Sequence, residues 1–225
     1  WDTTKEALKL GLPIGFGVFV ELSMFSGAAL ILGSLGATVI SGHTVAINIV
    51  SVLFILPLSF GLAAATRIGN LVGEKKLHQA KYASNIAIFI CFAGAILNMV
   101  IILIFRDNLV SLYSSDLAVA TIAMNLLLFG AIFQIPDGMQ MGALGSLRGY
   151  KDTFAPMLMI ILTYWFVALP VGYFLTYFGI FGDPMGPSGI WIGMITGLTI
   201  FASLIIPRLN YIASKFIAKS NPELL

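Results

Sequence analysis

Apolar residues run along this sequence in stretches of about 20 or more, and charged residues stand between the stretches rather than inside them. A hydrocarbon core roughly 30 Å thick is crossed by about 20 helical residues, so each stretch is long enough to span a membrane. The pattern predicts six helices, over residues 8–32, 40–66, 82–105, 117–147, 154–178 and 188–209. Polar or turn-forming residues join them: Gly36-Ala37-Thr38 with Ser41-Gly42, Gly69-Asn70 through Lys81, Arg106 to Asp116, Gly149 to Asp152, and Gly179 to Gly189 with Pro184 and Pro187. The fold class is therefore all-α and integral to the membrane. Beyond Pro207, residues 210–219 place Lys215 and Lys219 on one helical face and Ile212 and Phe216 on another. That suits either an interfacial amphipathic tail or a last turn with lysines reaching back to the headgroups.

Composition agrees with the pattern. Of 225 residues 59% are hydrophobic and 10% charged, and mean hydropathy is +0.99, which excludes an ordinary soluble domain. A net charge of +2 with scattered basic residues leaves no footprint for nucleic acid. The single Cys91 excludes a disulfide framework or thiolate cluster, and His43 and His78 stand too far apart in sequence for a zinc site. Because the chain opens at Trp1, and TTKEALKL lacks the pattern of a cleaved signal peptide, an internal start is expected.

With the first residue in the cytoplasm, eleven of the 12 lysines and arginines fall on the cytoplasmic side and only Arg106 falls outside. This bias orients the bundle with both ends inside. Tyr164, Trp165, Tyr173, Tyr177 and Trp191 read as interfacial or packing residues without a functional assignment.

Two acids break the rule that charges lie between spans. Glu21 sits 12 residues after Lys9, and Asp137 sits 11 residues before Arg148. At 1.5 Å per residue the two carboxylates stand roughly 18 and 17 Å above the inner surface, on helices of opposite direction. A charge at that depth costs about 2.5–3.5 kcal/mol even on the lenient insertion scale, so each acid is either protonated and satisfied by neighbouring side chains or part of a functional site, and two acids at matched depth favour the second. Pro136 removes the N–H that would serve the carbonyl of Ile132, leaving an acceptor one turn from Asp137. Gln134 and Gln140 flank Asp137 at helical spacing, while Phe133, Met141, Met24 and Phe25 supply apolar walls. The expectation is a site for Na+ or H+ at Glu21 and Asp137, lined by these six side chains. With one Na+, the two carboxylates still leave a net −1, which a shared proton or a cationic cargo would balance.

Other features are weaker. Gly138, Gly142, Gly145 and Gly149, and again Gly189, Gly193 and Gly197, have the spacing of close helix packing. Pro13, Pro57 and Pro170 give either fixed kinks or bends that move. An intramembrane aspartyl hydrolase would use two acids, but Asp137 lies in IPDGM rather than a GxGD-type motif, and neither a Ser/His nor a Cys/His pair falls at membrane depth. No enzyme and no cofactor is expected.

The segments LKLGLPIGFGVFVELSMF around Glu21, LPLSFGLAAATRIGNLVGE at 56–74 and FQIPDGMQMGALGSLRGYKDT around Asp137 together resemble the C-terminal six-helix lobe of a MATE multidrug and toxin extrusion transporter of the NorM-type branch. The resemblance covers nearly the whole chain. It implies one lobe of a twelve-helix, pseudo-two-fold antiporter in the bacterial cytoplasmic membrane, whose partner is a missing N-terminal lobe. It also implies export of cationic or hydrophobic drugs against inward Na+ or H+, with cation-binding acids at Glu21 and Asp137. Related members often carry a tyrosine where this chain has Phe133, so a ring remains for cation–π contact but a hydroxyl ligand is lost. A lipid-linked precursor flippase of the same superfamily is the alternative. Its pyrophosphate cargo would call for basic residues at mid-depth, and in the sequence they fall at span ends.

Overall fold

The computed structural model describes residues 2–179 and 182–220, with side chains from residue 4. The elements are α1 (Asp2–Gly33), α2 (Ala37–Gly73), α3 (Leu77–Ser111), α4 (Leu117–Gly149), α5 (Phe154–Ile160), a π-helical stretch (Ile161–Ala168) that runs on into α6 (Leu169–Tyr177), and α7 (Pro187–Ser220). Counting Phe154–Tyr177 as one rod, six helices are long and apolar enough to cross a membrane, and no strand occurs among the described residues.

The helices run past the apolar stretches. Ser41 and Gly42 lie inside α2 rather than in a connection, Gly69 and Asn70 also belong to α2, and Lys81 belongs to α3. Polar residues at the membrane surface do not end a helix, because its hydrogen bonds are made within the backbone at any depth. The joints that remain are tight. Gly36 sits at φ 107°, where a side chain would be strained, and Lys75 and Lys151 adopt the left-handed conformation at φ 58° and 62°. Asp116 caps α4 by accepting from Ala118 N at 2.8 Å and Val119 N at 3.3 Å.

α4 is the central rod, packed against α2, α3 and α7. Its glycines make this possible: a Cβ on Gly138 would stand 2.7 Å from the Cys91 carbonyl oxygen, and one on Gly145 would stand 2.1 Å from that of Gly61. The second stripe does the same for α7, where a Cβ on Gly193 would stand 2.4 Å from the Cα of Gly172. Both stripes therefore pack helices backbone to backbone.

Pro207 does not stop α7, which continues to Ser220. Leu209 and Ile212 are buried, and the ring of Phe216 meets that of Tyr150 at 5.3 Å. Residues 210–219 thus extend α7 and pack one face of it against the bundle. At the same end, Arg208 holds Asp152 through two bonds, Nε to Oδ2 at 2.8 Å and Nη2 to Oδ1 at 3.3 Å, and Lys151 pairs with Glu6. α1 is tied to the fifth rod by Trp165 Nε1 donating to Ser23 Oγ at 3.0 Å and by Tyr177 Oη donating to the Ile31 carbonyl at 2.6 Å.

Candidate functional site

Glu21 on α1 and Asp137 on α4 line one small cavity, closed by Phe25, by Ile47, Val50, Ser51 and Phe54 of α2, and by Phe133. The depth match between two antiparallel helices thus becomes proximity. The cavity measures about 40 Å³. This is room for a few water-sized positions at roughly 10–15 Å³ each, hence for a small cation with little hydration and not for a drug. Asp137 is buried and Glu21 half-buried.

The remaining expected lining residues stand elsewhere. Gln140 lies behind Asp137 and donates from Nε2 to its Oδ1 at 2.8 Å, while its own Oε1 accepts from Tyr164 Oη at 2.9 Å. Since a hydroxyl donating to Oε1 fixes the amide with its NH2 toward the carboxylate, Gln140 offers Asp137 a donor and no oxygen ligand. Gln134 is turned to α2 and α3: its Oε1 accepts from Asn98 Nδ2 at 3.1 Å and its Nε2 donates to the Val50 carbonyl at 3.4 Å. Met24 is fully buried in the core, and the backbone of Met141 faces Gly61 across the α2–α4 contact. None of these four lines the cavity. Nor does Ile132, which shares a groove toward α7 with Pro136 and Met139.

Four residues of the cavity lining, Ile47, Val50, Ser51 and Phe54, all from α2, are not singled out by the sequence, and neither is Tyr164 behind Gln140. Ser51 contributes the only hydroxyl of the cavity lining. Serines and threonines in membrane helices usually bond their own backbone, as Ser59 and Thr44 do here, so nothing in the sequence singles Ser51 out. Tyr164, which the sequence offers only as a belt or packing residue, is fully buried and orients Gln140. Its signal was Pro170. Without an N–H at that position the helix widens, Leu169 N–H donating to the Tyr164 carbonyl five residues back, and such π turns occur often at functional sites. Trp191 is likewise buried, donating from Nε1 to His43 Nδ1 at 3.2 Å, and its ring meets Phe133 edge-on at 6.3 Å. Phe133 in turn lies 6.2 Å from Phe25, which makes the apolar wall of the cavity aromatic.

The arrangement joins two carboxylates, a hydroxyl and aromatic faces around one small space, with Asp137 buried at its inner wall and Glu21 and Ser51 on its more open side. Two carboxylates and a hydroxyl around a space of about 40 Å³ are oxygen ligands that suit a small cation. No cluster of three or more His, Cys, Asp or Glu side chains occurs among the described residues.

The family model MatE matches residues 13–174, a range that contains both acids. The chain belongs to the MatE family. The multidrug resistance protein PmpM of Pseudomonas aeruginosa is 39% identical over 215 residues, which are 96% of this chain and 45% of that protein. The multidrug resistance protein NorM of Vibrio vulnificus strain YJ016 is 39% identical over 207 residues, 92% of this chain and 45% of that protein. Among solved structures, the eukaryotic MATE transporter AtDTX14 superposes with a TM-score of 0.85 at 24% identity, covering 96% of this chain and 49% of that one. This MatE chain thus has the fold of one half of such transporters and spans about 45% of the length of these curated relatives. The family is one of transporters, which removes the intramembrane hydrolase from consideration.

Proposed function

We propose that this chain is the C-terminal lobe of a multidrug antiporter that exports cationic or hydrophobic compounds in exchange for inward Na+ or H+. Glu21 and Asp137 form its cation site. The observation that carries the reading is that the two acids at membrane depth, on separate helices, share one cavity sized for an ion. Buried like charges repel, so the pair is stable only when a cation or a proton intervenes. A second cationic ligand that draws on the same charge is disfavoured while the first is bound. Occupancy then alternates between the coupling ion and the drug, and differential affinity of the two conformations for the ion drives the exchange.

Ser51 supplies a neutral oxygen ligand, and Phe25 and Phe133 present ring faces to the cation. Gln140, fixed by Tyr164, occupies Oδ1 of Asp137 and leaves Oδ2 to the ion. An N-terminal six-helix lobe completes the drug cavity, the exposed face of α1 is turned to it or to lipid, and the bundle sits in the bacterial cytoplasmic membrane with both ends of this chain inside. The names of PmpM and NorM as multidrug resistance proteins support a drug cargo.

The test is to reconstitute the complete transporter and follow efflux of a cationic dye such as ethidium against imposed Na+ and pH gradients separately. Glu21→Gln and Asp137→Asn are each expected to lower gradient-driven efflux at least tenfold, about 1.4 kcal/mol of coupling. Wild-type coupling in both variants would remove the cation site from this lobe.

A further inference from the structure

Glu21 borders a second cavity. Along α1 it is the last of the residues Pro13, Ile14, Gly17, Val18 and Glu21 that line a narrow space of about 10 Å³. The opposite wall includes Arg148, from the last turn of α4. Glu21 is thus the one residue common to both spaces, with Asp137 facing it across one and Arg148 across the other.

Arg148 is half-buried, and its Nε is buried without a hydrogen-bond partner among the described residues. The acids nearest to it in sequence or on α1 are engaged elsewhere: Asp152 holds Arg208 through both its oxygens, and Glu6 holds Lys151. Glu21 is the only acid lining the space that Arg148 enters. A guanidinium cannot shed its proton at any accessible pH, so its charge is a fixed part of this surrounding.

We infer that Arg148 is the third charged member of the cation site, a resident counter-charge that competes with the coupling ion for Glu21. The inference rests on the antiport reading above and sharpens it. Two carboxylates and one guanidinium leave a formal charge of −1, so a single monovalent cation neutralises the cluster. Neither a shared proton nor a charged drug is then needed alongside the ion, contrary to the count made with the two acids alone. When the ion leaves, the fixed charge of Arg148 across the second space still offsets one of the two carboxylates, and the emptied site does not carry two uncompensated charges. Arg148 is accordingly a positioning residue: it sets how tightly and how many cations are held.

The experiment uses the complete transporter in proteoliposomes, with dye efflux measured as a function of whichever driving ion, Na+ at fixed pH or H+ in the absence of Na+, supports the wild type. R148Q is expected to lower the half-saturating concentration of that ion about tenfold, the effect of one unit charge across a partly buried separation. E21Q leaves Asp137 and Arg148 mutually balanced and is expected to lose ion dependence. The double variant E21Q/R148Q restores a net −1 and is expected to regain it. Removing both members of a buried pair is better tolerated than removing one, so the double variant decides the matter even if R148Q does not fold. An unchanged half-saturating concentration in R148Q, or a double variant that is no more ion-dependent than E21Q or fails to fold where E21Q folds, overturns the role of Arg148. Wild-type ion dependence in E21Q and D137N overturns the antiport reading itself, whatever R148Q does.

Discussion

Pro57 takes one N–H out of α2, and the Leu53 carbonyl that this group would have served is met by Asn98 Nδ2 at 2.8 Å. Inside a membrane no water can take that place, so the amide of one helix completes the ladder of another. The same Asn98 Nδ2 reaches Gln134 at 3.1 Å, which ties α2, α3 and α4 together one turn from Asp137. Asn98→Ala is therefore expected to destabilise the protein by about 1–3 kcal/mol through the orphaned carbonyl. Thermal unfolding in detergent checks this, and an unchanged midpoint would show that the carbonyl finds another donor. The example also shows how single residues divide between what can and cannot be read in advance. Glu21 and Asp137 stood out because a carboxylate in an apolar run has no ordinary explanation. Asn98, Gln134 and Gln140 are neutral, and whether such a side chain serves an ion or a neighbouring backbone depends on which atoms face it across the bundle.

At the scale of the elements, α4 gathers the site because it can be approached closely on two sides. A methyl group on Gly145 meets the Gly61 backbone at 2.1 Å, where no side chain can swing aside, whereas one on Gly15 of α1 meets nothing within 4 Å. Gly145→Ala is expected to cost about 1–3 kcal/mol by forcing α2 and α4 apart, and Gly15→Ala to leave stability unchanged or slightly raised. Unfolding midpoints of the two variants measured side by side would refute the packing argument if they moved alike. The six rods were legible from apolar run length alone, and their ends were not, because polar residues at the membrane surface continue a helix as readily as they leave it. The π-helical stretch at Ile161–Ala168 was hidden for a related reason: Pro170 announces a disturbed helix but does not say which way the freed turn opens.

For the molecule as a whole, the distribution of lysine and arginine predicts orientation in the membrane. A cysteine at Lys75 should react with a membrane-impermeant maleimide in intact cells only after permeabilisation, and one at Ser115 without it. Both positions are exposed at opposite ends of α3, and Cys91 is buried and out of reach of the reagent. The reverse labelling pattern would invert the bundle and place the Arg148 end outside.

The sequence by itself determined six membrane helices, their alternation, the depth of the two acids and the family resemblance, since each of these follows from the order of residues along a rod of fixed rise. Tertiary structure alone decided that Glu21 and Asp137 face one cavity, that Ser51 joins them, that Gln140 gives Asp137 its N–H while Tyr164 holds its oxygen, and that Arg148 lines a second space with Glu21. Spacing within a helix gives height and face. Which faces meet is set by where glycine lets backbones approach and where proline leaves a carbonyl for another helix to serve.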